Sequence, residues 1–128
     1  MIKTRTLLVS CLLTGLMTAS ATFAETVIGT GDTSVGQALT DGAGMTLYIF
    51  DKDTAAVSNC NGDCAVNWPP LEAKADARPQ ENFGIIIRAD GSRQWTYKGA
   101  ALYTWINDQN PGDVTGNGVN DVWHVAKP

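Results

Sequence analysis

The pattern Gly44-Met-Thr-Leu47-Tyr48-Ile-Phe50-Asp-Lys-Asp53 returns 55 residues later, without a gap, as Gly99-Ala-Ala-Leu102-Tyr103-Thr-Trp105-Ile-Asn-Asp108. The same offset places Trp68 on Trp123. A shared spacing at Gly, Leu, Tyr, an aromatic ring, Asp and a distant Trp marks two copies of one structural unit, at about 40–73 and 95–128. Such duplication limits what the prominent residues do, because a residue used twice at equal spacing is more readily explained by packing than by one active site.

The first 24 residues have the layout of a secretory signal peptide. Lys3 and Arg5 give a positive start, Leu7 to Phe23 is largely apolar, and Ala19-Ser-Ala21 and Thr22-Phe-Ala24 offer small-residue cleavage sites. Cleavage is expected after Ala24. An uncleaved anchor is the other reading, but the stretch falls short of the roughly 20 apolar residues of a spanning helix. Leu8-Val-Ser-Cys11 resembles an acylation site locally. Cleavage there would leave the apolar Leu12 to Met17 run at the mature terminus, so lipid anchoring at Cys11 is the weaker expectation.

Residues 25–128 are one domain's worth of chain with a modest core. Of the nine Lys and Arg residues, Lys3 and Arg5 fall in the leader, whereas all thirteen Asp and Glu follow it. The processed chain is therefore clearly acidic and has no basic cluster. Its charge opposes binding to phosphate backbones or anionic lipid heads, which argues against nucleic-acid and membrane-surface roles. No membrane span remains after processing. Only Cys60 and Cys64 are left, and an exported chain meets an oxidising compartment, so these two are expected to form an intrachain disulfide. Closing so small a loop is worth about 2 kcal/mol by chain entropy, and its effect is local.

The chain reads as mostly β, a single small domain of short antiparallel strands with little helix. Thr26 to Gly29 offers an edge strand, and a short helix has room to start after Thr33. Met45 to Phe50 is a strand apolar on both faces, with Leu47 and Ile49 one way and Tyr48 and Phe50 the other. Ala65 to Trp68 suits one helical turn, stopped by Pro69-Pro70. Residues 73–82 are polar and link the units. Phe83 to Arg88 and Arg93 to Lys98 form a hairpin across Ala89-Asp90-Gly91-Ser92. Leu102 to Ile106 repeats the earlier strand, residues 107–121 form a long Asn/Asp/Gly loop, and Val122 to Ala126 closes the chain as a last strand.

At Tyr48-Ile-Phe50-Asp-Lys-Asp53 and Tyr103-Thr-Trp105-Ile-Asn-Asp108 the chain resembles a bacterial secreted repeat and lipoprotein family. That family is named for a Tyr-x-(Phe/Trp/Tyr)-x-x-Asp motif. The likeness continues through Cys60-Asn-Gly-Asp-Cys64-Ala, Trp68-Pro69-Pro70-Leu71, Trp95-x-Tyr97-x-Gly99, Pro111-Gly-Asp113, Gly116-x-Gly118 and Trp123-His124-Val125. It implies an exported location and a fold, and no established activity, although a link of some members to alkane utilisation has been suggested. Many members are lipoproteins, a pattern from which the placement of Cys11 departs.

Each chemical reading of these residues stands beside a structural one. Tyr48 and Phe50 share one strand face with Asp53 just past its end, and Tyr103, Trp105 and Asp108 repeat this. Packing makes them an aromatic core with a capping Asp, the Tyr hydroxyl bonded to the carboxylate. Function makes them, with Trp68, Trp95 and Trp123, a surface for stacking on a sugar or an apolar small molecule. Asp108, Asn110 and Asp113, with the other oxygens of the 107–121 loop, suit calcium, but the EF-hand spacing fails. The same residues are what an irregular loop needs. Reduced Cys60 and Cys64 with the sole histidine, His124, would suit copper, yet no βαβ pattern accompanies them. No Gly-x-Ser-x-Gly, Cys-x-x-Cys-His or phosphate loop is present, and no nucleophile is paired with His124. The expectation is a non-catalytic binding or structural module without a cofactor, periplasmic or secreted. Its partner would be a small molecule or a cell-envelope component. The alternative is a metal-binding protein.

Overall fold

The computed structural model describes residues 28–128. The leader, Cys11, the cleavage sites and residues 26 and 27 of the expected edge strand at 26–29 lie outside the described residues. The chain enters through a hairpin, β1 (Gly29–Thr33) and β2 (Gly36–Thr40), paired in register from Gly29–Thr40 to Thr33–Gly36. Where the sequence left room for a helix after Thr33, a tight turn forms instead. The Thr33 hydroxyl donates to the Gly36 carbonyl and accepts the Val35 N–H, while Gly36 takes φ 100°, which favours glycine.

Strand β3 (Tyr48–Phe50) is shorter than the apolar run around it, because Thr46 bridges back to Thr40 and the Leu47 N–H donates to Leu39 O. Helix α1 (Asp63–Asn67) begins earlier than Ala65 and ends before Pro69-Pro70. The second half repeats the plan, except that isolated bridges at Tyr103 stand where Leu102 to Ile106 was expected to form a strand. A hairpin of β4 (Phe83–Ile87) and β5 (Arg93–Tyr97) is followed by a short β6 (Ala100–Ala101). Lys98 and Gly99, at φ 49° and 84°, make the mirror-image turn that matches strand twist. A 3₁₀ turn (Val119–Asp121) occupies the place of α1, and β7 (Trp123–Val125) ends the domain. The sheets are small and antiparallel, in the orders β1-β2, β3-β7 and β4-β5-β6. A mostly β domain of two units is therefore what forms.

The units are interleaved. Strand β3 of the first pairs with β7 of the second, Phe50 opposite Trp123. Tyr103 of the second bridges Pro70 of the first. The hydrogen bonds repeat at the same 55-residue offset: Asp51 N–H to Val122 O matches Ile106 N–H to Asn67 O, and Ala126 N–H to Leu47 O matches Leu71 N–H to Leu102 O. Between them Tyr48 and Tyr103 exchange backbone bonds of 2.8 and 3.0 Å, each N–H donating to the other's carbonyl. An approximate twofold axis passes through this pair. Alternation along the strands then sorts the core. Tyr48, Tyr103, Trp68 and Trp123 pack on one side, and Leu47, Leu102, Leu39 and Trp95 on the other.

Candidate functional site

The duplicated motif converges on the twofold axis. Tyr48 and Tyr103 are fully buried, and each reaches across to the other unit's carboxylate. The Tyr48 hydroxyl donates to Asp108 Oδ2 at 2.6 Å, and the Tyr103 hydroxyl to Asp53 Oδ2 at 2.7 Å. The second carboxylate oxygen holds the local loop. Asp53 Oδ1 accepts the Asn59 N–H, while Asp108 Oδ1 accepts both the N–H and the hydroxyl of Thr115. Each aspartate thus ties its own loop to the tyrosine of the opposite unit.

Electrostatics follow from burial. Desolvation pushes the Tyr48 hydroxyl well above its ordinary pKa, with the Asp108 bond and charge adding to the rise and the Gly116 N–H opposing it. Burial raises Tyr103 likewise, against Ser58 and with Asp53. Asp53 also shifts upward: loss of water outweighs the Asn59 N–H, the Tyr103 hydroxyl and the Arg88 charge, all of which favour the carboxylate.

Around these groups the rings form one stack, running Phe50, Trp123, Trp68, Trp105. Trp68 and Trp123 meet at the axis, 3.8 Å between centroids and 3° from parallel. Phe50 lies on Trp123 at 4.2 Å and Trp105 on Trp68 at 3.9 Å. Tyr48 and Tyr103 close the sides edge-on against Trp68 and Trp123. Gly116 is threaded beneath, where a Cβ would come within 2.8 Å of Trp68. Trp95 belongs to the opposite cluster and is not part of the stack. Of two surface grooves, of about 220 and 260 Å³, the first is lined in part by Phe50 and Asp53 of the motif, and no other ring of the stack lines either.

The residues considered for metal are placed apart. Cys60 and Cys64 are joined as a disulfide, and Cys60 is buried in the ring cluster. His124 Nε2 meets Asp51 at 2.7 Å on the surface. Asp113 accepts the N–H groups of Gln109 and Asn110, and Asn117 accepts that of Val125. Among the described residues no group of three or more His, Cys, Asp or Glu is arranged to hold a metal ion.

Sequence reasoning passed over Arg88. The residue is 5% exposed, and among the described residues it forms no salt bridge. It donates to Ser58 Oγ, Gln94 Oε1 and the Cys60 carbonyl at 2.9, 2.7 and 2.7 Å. Ser58 in turn lies 2.6 Å from the Tyr103 hydroxyl. Because that hydroxyl's only proton goes to Asp53, Ser58 must be the donor. A hydrogen-bonded chain of two hydroxyls links Arg88 to Asp53. Parity was the available signal, since Arg88 follows Gly84 and Ile86 on the inward side of β4.

A small mostly β domain built from two interleaved repeats defines the class. The chain belongs to a family described as a secreted repeat of unknown function, which matches residues 29–72 and 84–127. The two matches stand at the 55-residue offset and extend upstream of 40–73 and 95–128, taking each hairpin into its unit. No curated protein and no solved structure matches the chain. No helix among the described residues is long and apolar enough to cross a membrane.

Proposed function

We propose that this is an exported, non-catalytic module in which the duplicated motif builds the fold, leaving the outer loops and strands to meet a small molecule or a cell-envelope component. The observation that supports it is the crossed pairing of two fully buried tyrosines with the opposite unit's aspartates. Those hydroxyls already have partners, and the central rings are covered by one another. The location in this reading is periplasmic or extracellular, without a lipid on Cys11. A role with alkanes, as the resemblance raises, would fall to the exposed apolar side chains Val57, Val66, Ile87 and Ile106.

Tryptophan emission titrated with soluble saccharides and short alkanes tests the assignment of the rings. Unchanged emission is expected, and a saturable shift would return the stack to a ligand site. Calcium provides a second check, because Asp108 and Asp113 of the 107–121 loop direct their carboxylates at the loop's own backbone. The melting midpoint should be the same with and without millimolar calcium; a rise would show that the native loop binds it.

A further inference from the structure

We propose that the Cys60–Cys64 disulfide is a reducible lock on the Arg88–Ser58–Tyr103–Asp53 chain, so that a dithiol reductant releases the first unit's loop and leaves its counterpart in place. The two halves differ in how this loop is held. In the second unit the loop is pinned by packing: Gly116 lies under Trp68 and Trp105 with no room for a Cβ, and its N–H donates to the Tyr48 hydroxyl. The Asp53–Asn59 and Asp108–Thr115 bonds set Cys60 opposite Gly116, and Cys60 carries a side chain buried in the ring cluster. Glycine's close approach is unavailable there, and the disulfide to α1 takes over the hold.

What this bond fixes is specific. Cys60 supplies the carbonyl that accepts from Arg88 Nη2, and its own N–H points to Ser58 Oγ, which accepts from Arg88 Nη1. Cys60 and Ser58 therefore provide two of the guanidinium's three hydrogen-bond partners, the third being Gln94. A buried cation without a salt bridge among the described residues depends on such acceptors, and losing them leaves it strongly disfavoured in place. The corresponding position in the first hairpin is Thr33, so the second loop has no cation to hold.

Cys64 is partly exposed whereas Cys60 is buried, which sets the direction of attack. One thiolate of the dithiol attacks Cys64 Sγ, and the Sγ–Sγ bond breaks with its electron pair departing on Cys60. The second thiol then displaces Cys64 as the reductant closes its own disulfide. The protein gains two electrons and two protons.

Amide hydrogen exchange on the whole protein, with and without dithiothreitol, tests this. The N–H groups of Asn59 and Cys60 should exchange at least about tenfold faster after reduction, while those of Thr115 and Gly116 keep their rates. Cys64→Ser, which leaves the Cys60 thiol in place, should reproduce the reduced pattern without reductant. Equal acceleration of both loops would overturn the proposal by making the disulfide a general brace. No acceleration at Asn59 and Cys60 would overturn it by showing that the hydrogen bonds suffice.

Discussion

At the scale of single residues, two tyrosines carry most of the consequences. Replacing Tyr48 by Phe leaves Asp108, 8% exposed, without its partner at Oδ2. The expected cost is about 1–3 kcal/mol, read from urea unfolding. Tyr103→Phe should cost less, because Asp53 is less buried than Asp108. Alkali should act on the same groups. Both hydroxyls are raised above the ordinary 10.0 while folded. Their contribution is complete below that value and is lost as pH climbs through the folded pKa values. Absorbance of tyrosinate should therefore show Tyr48 and Tyr103 resisting ionisation above pH 10.0 until the protein unfolds. Asp53 is also raised, from 3.8, so its contribution is complete below 3.8 and diminishes as pH rises through its folded value. Asp53→Asn removes that titration, and a stability profile measured from pH 3 upward should lose the corresponding fall.

Elements are where the sequence was most legible. The hairpin of β4 and β5 was visible because alternation and Ala89-Asp90-Gly91-Ser92 agree on one turn, and Asp90 does bond the Ser92 N–H. The first hairpin was harder. Gly29-Thr-Gly-Asp-Thr33 has little apolar alternation, since β1 is mostly exposed and its half-buried positions are Gly31 and Thr33, neither of them apolar in side chain. Strand β3 was visible as apolar on both faces, and it does divide the two core clusters. Gly116 could not be read at all. Nothing separates it in sequence from Gly112 or Gly118 in the same loop, although only Gly116 touches the rings. Gly116→Ala should lower stability by about 1–3 kcal/mol, since overpacking there displaces a Trp from the stack. Gly118, which takes φ 83° with open space around it, answers to backbone conformation and not to packing.

For the whole molecule, the repeat announced two units but not their arrangement. Two copies stacked side by side and two copies interleaved have the same sequence signature; only the partners differ. A motif in which Tyr48 precedes Asp53 by five residues suggests a bond within the unit, whereas the bond formed runs to Asp108, 60 residues away. The Trp68–Trp123 stack and the Tyr48–Tyr103 backbone exchange belong to both halves at once, so unfolding should be a single transition by fluorescence and by circular dichroism. The most direct measurement is a pair of double-mutant cycles. Tyr48→Phe is combined with Asp108→Asn in one and with Asp53→Asn in the other. Crossed repeats predict a coupling of about 1 kcal/mol or more for Tyr48 with Asp108, and close to none for Tyr48 with Asp53. Coupling confined to the Tyr48–Asp53 pair would contradict it and make each repeat self-contained.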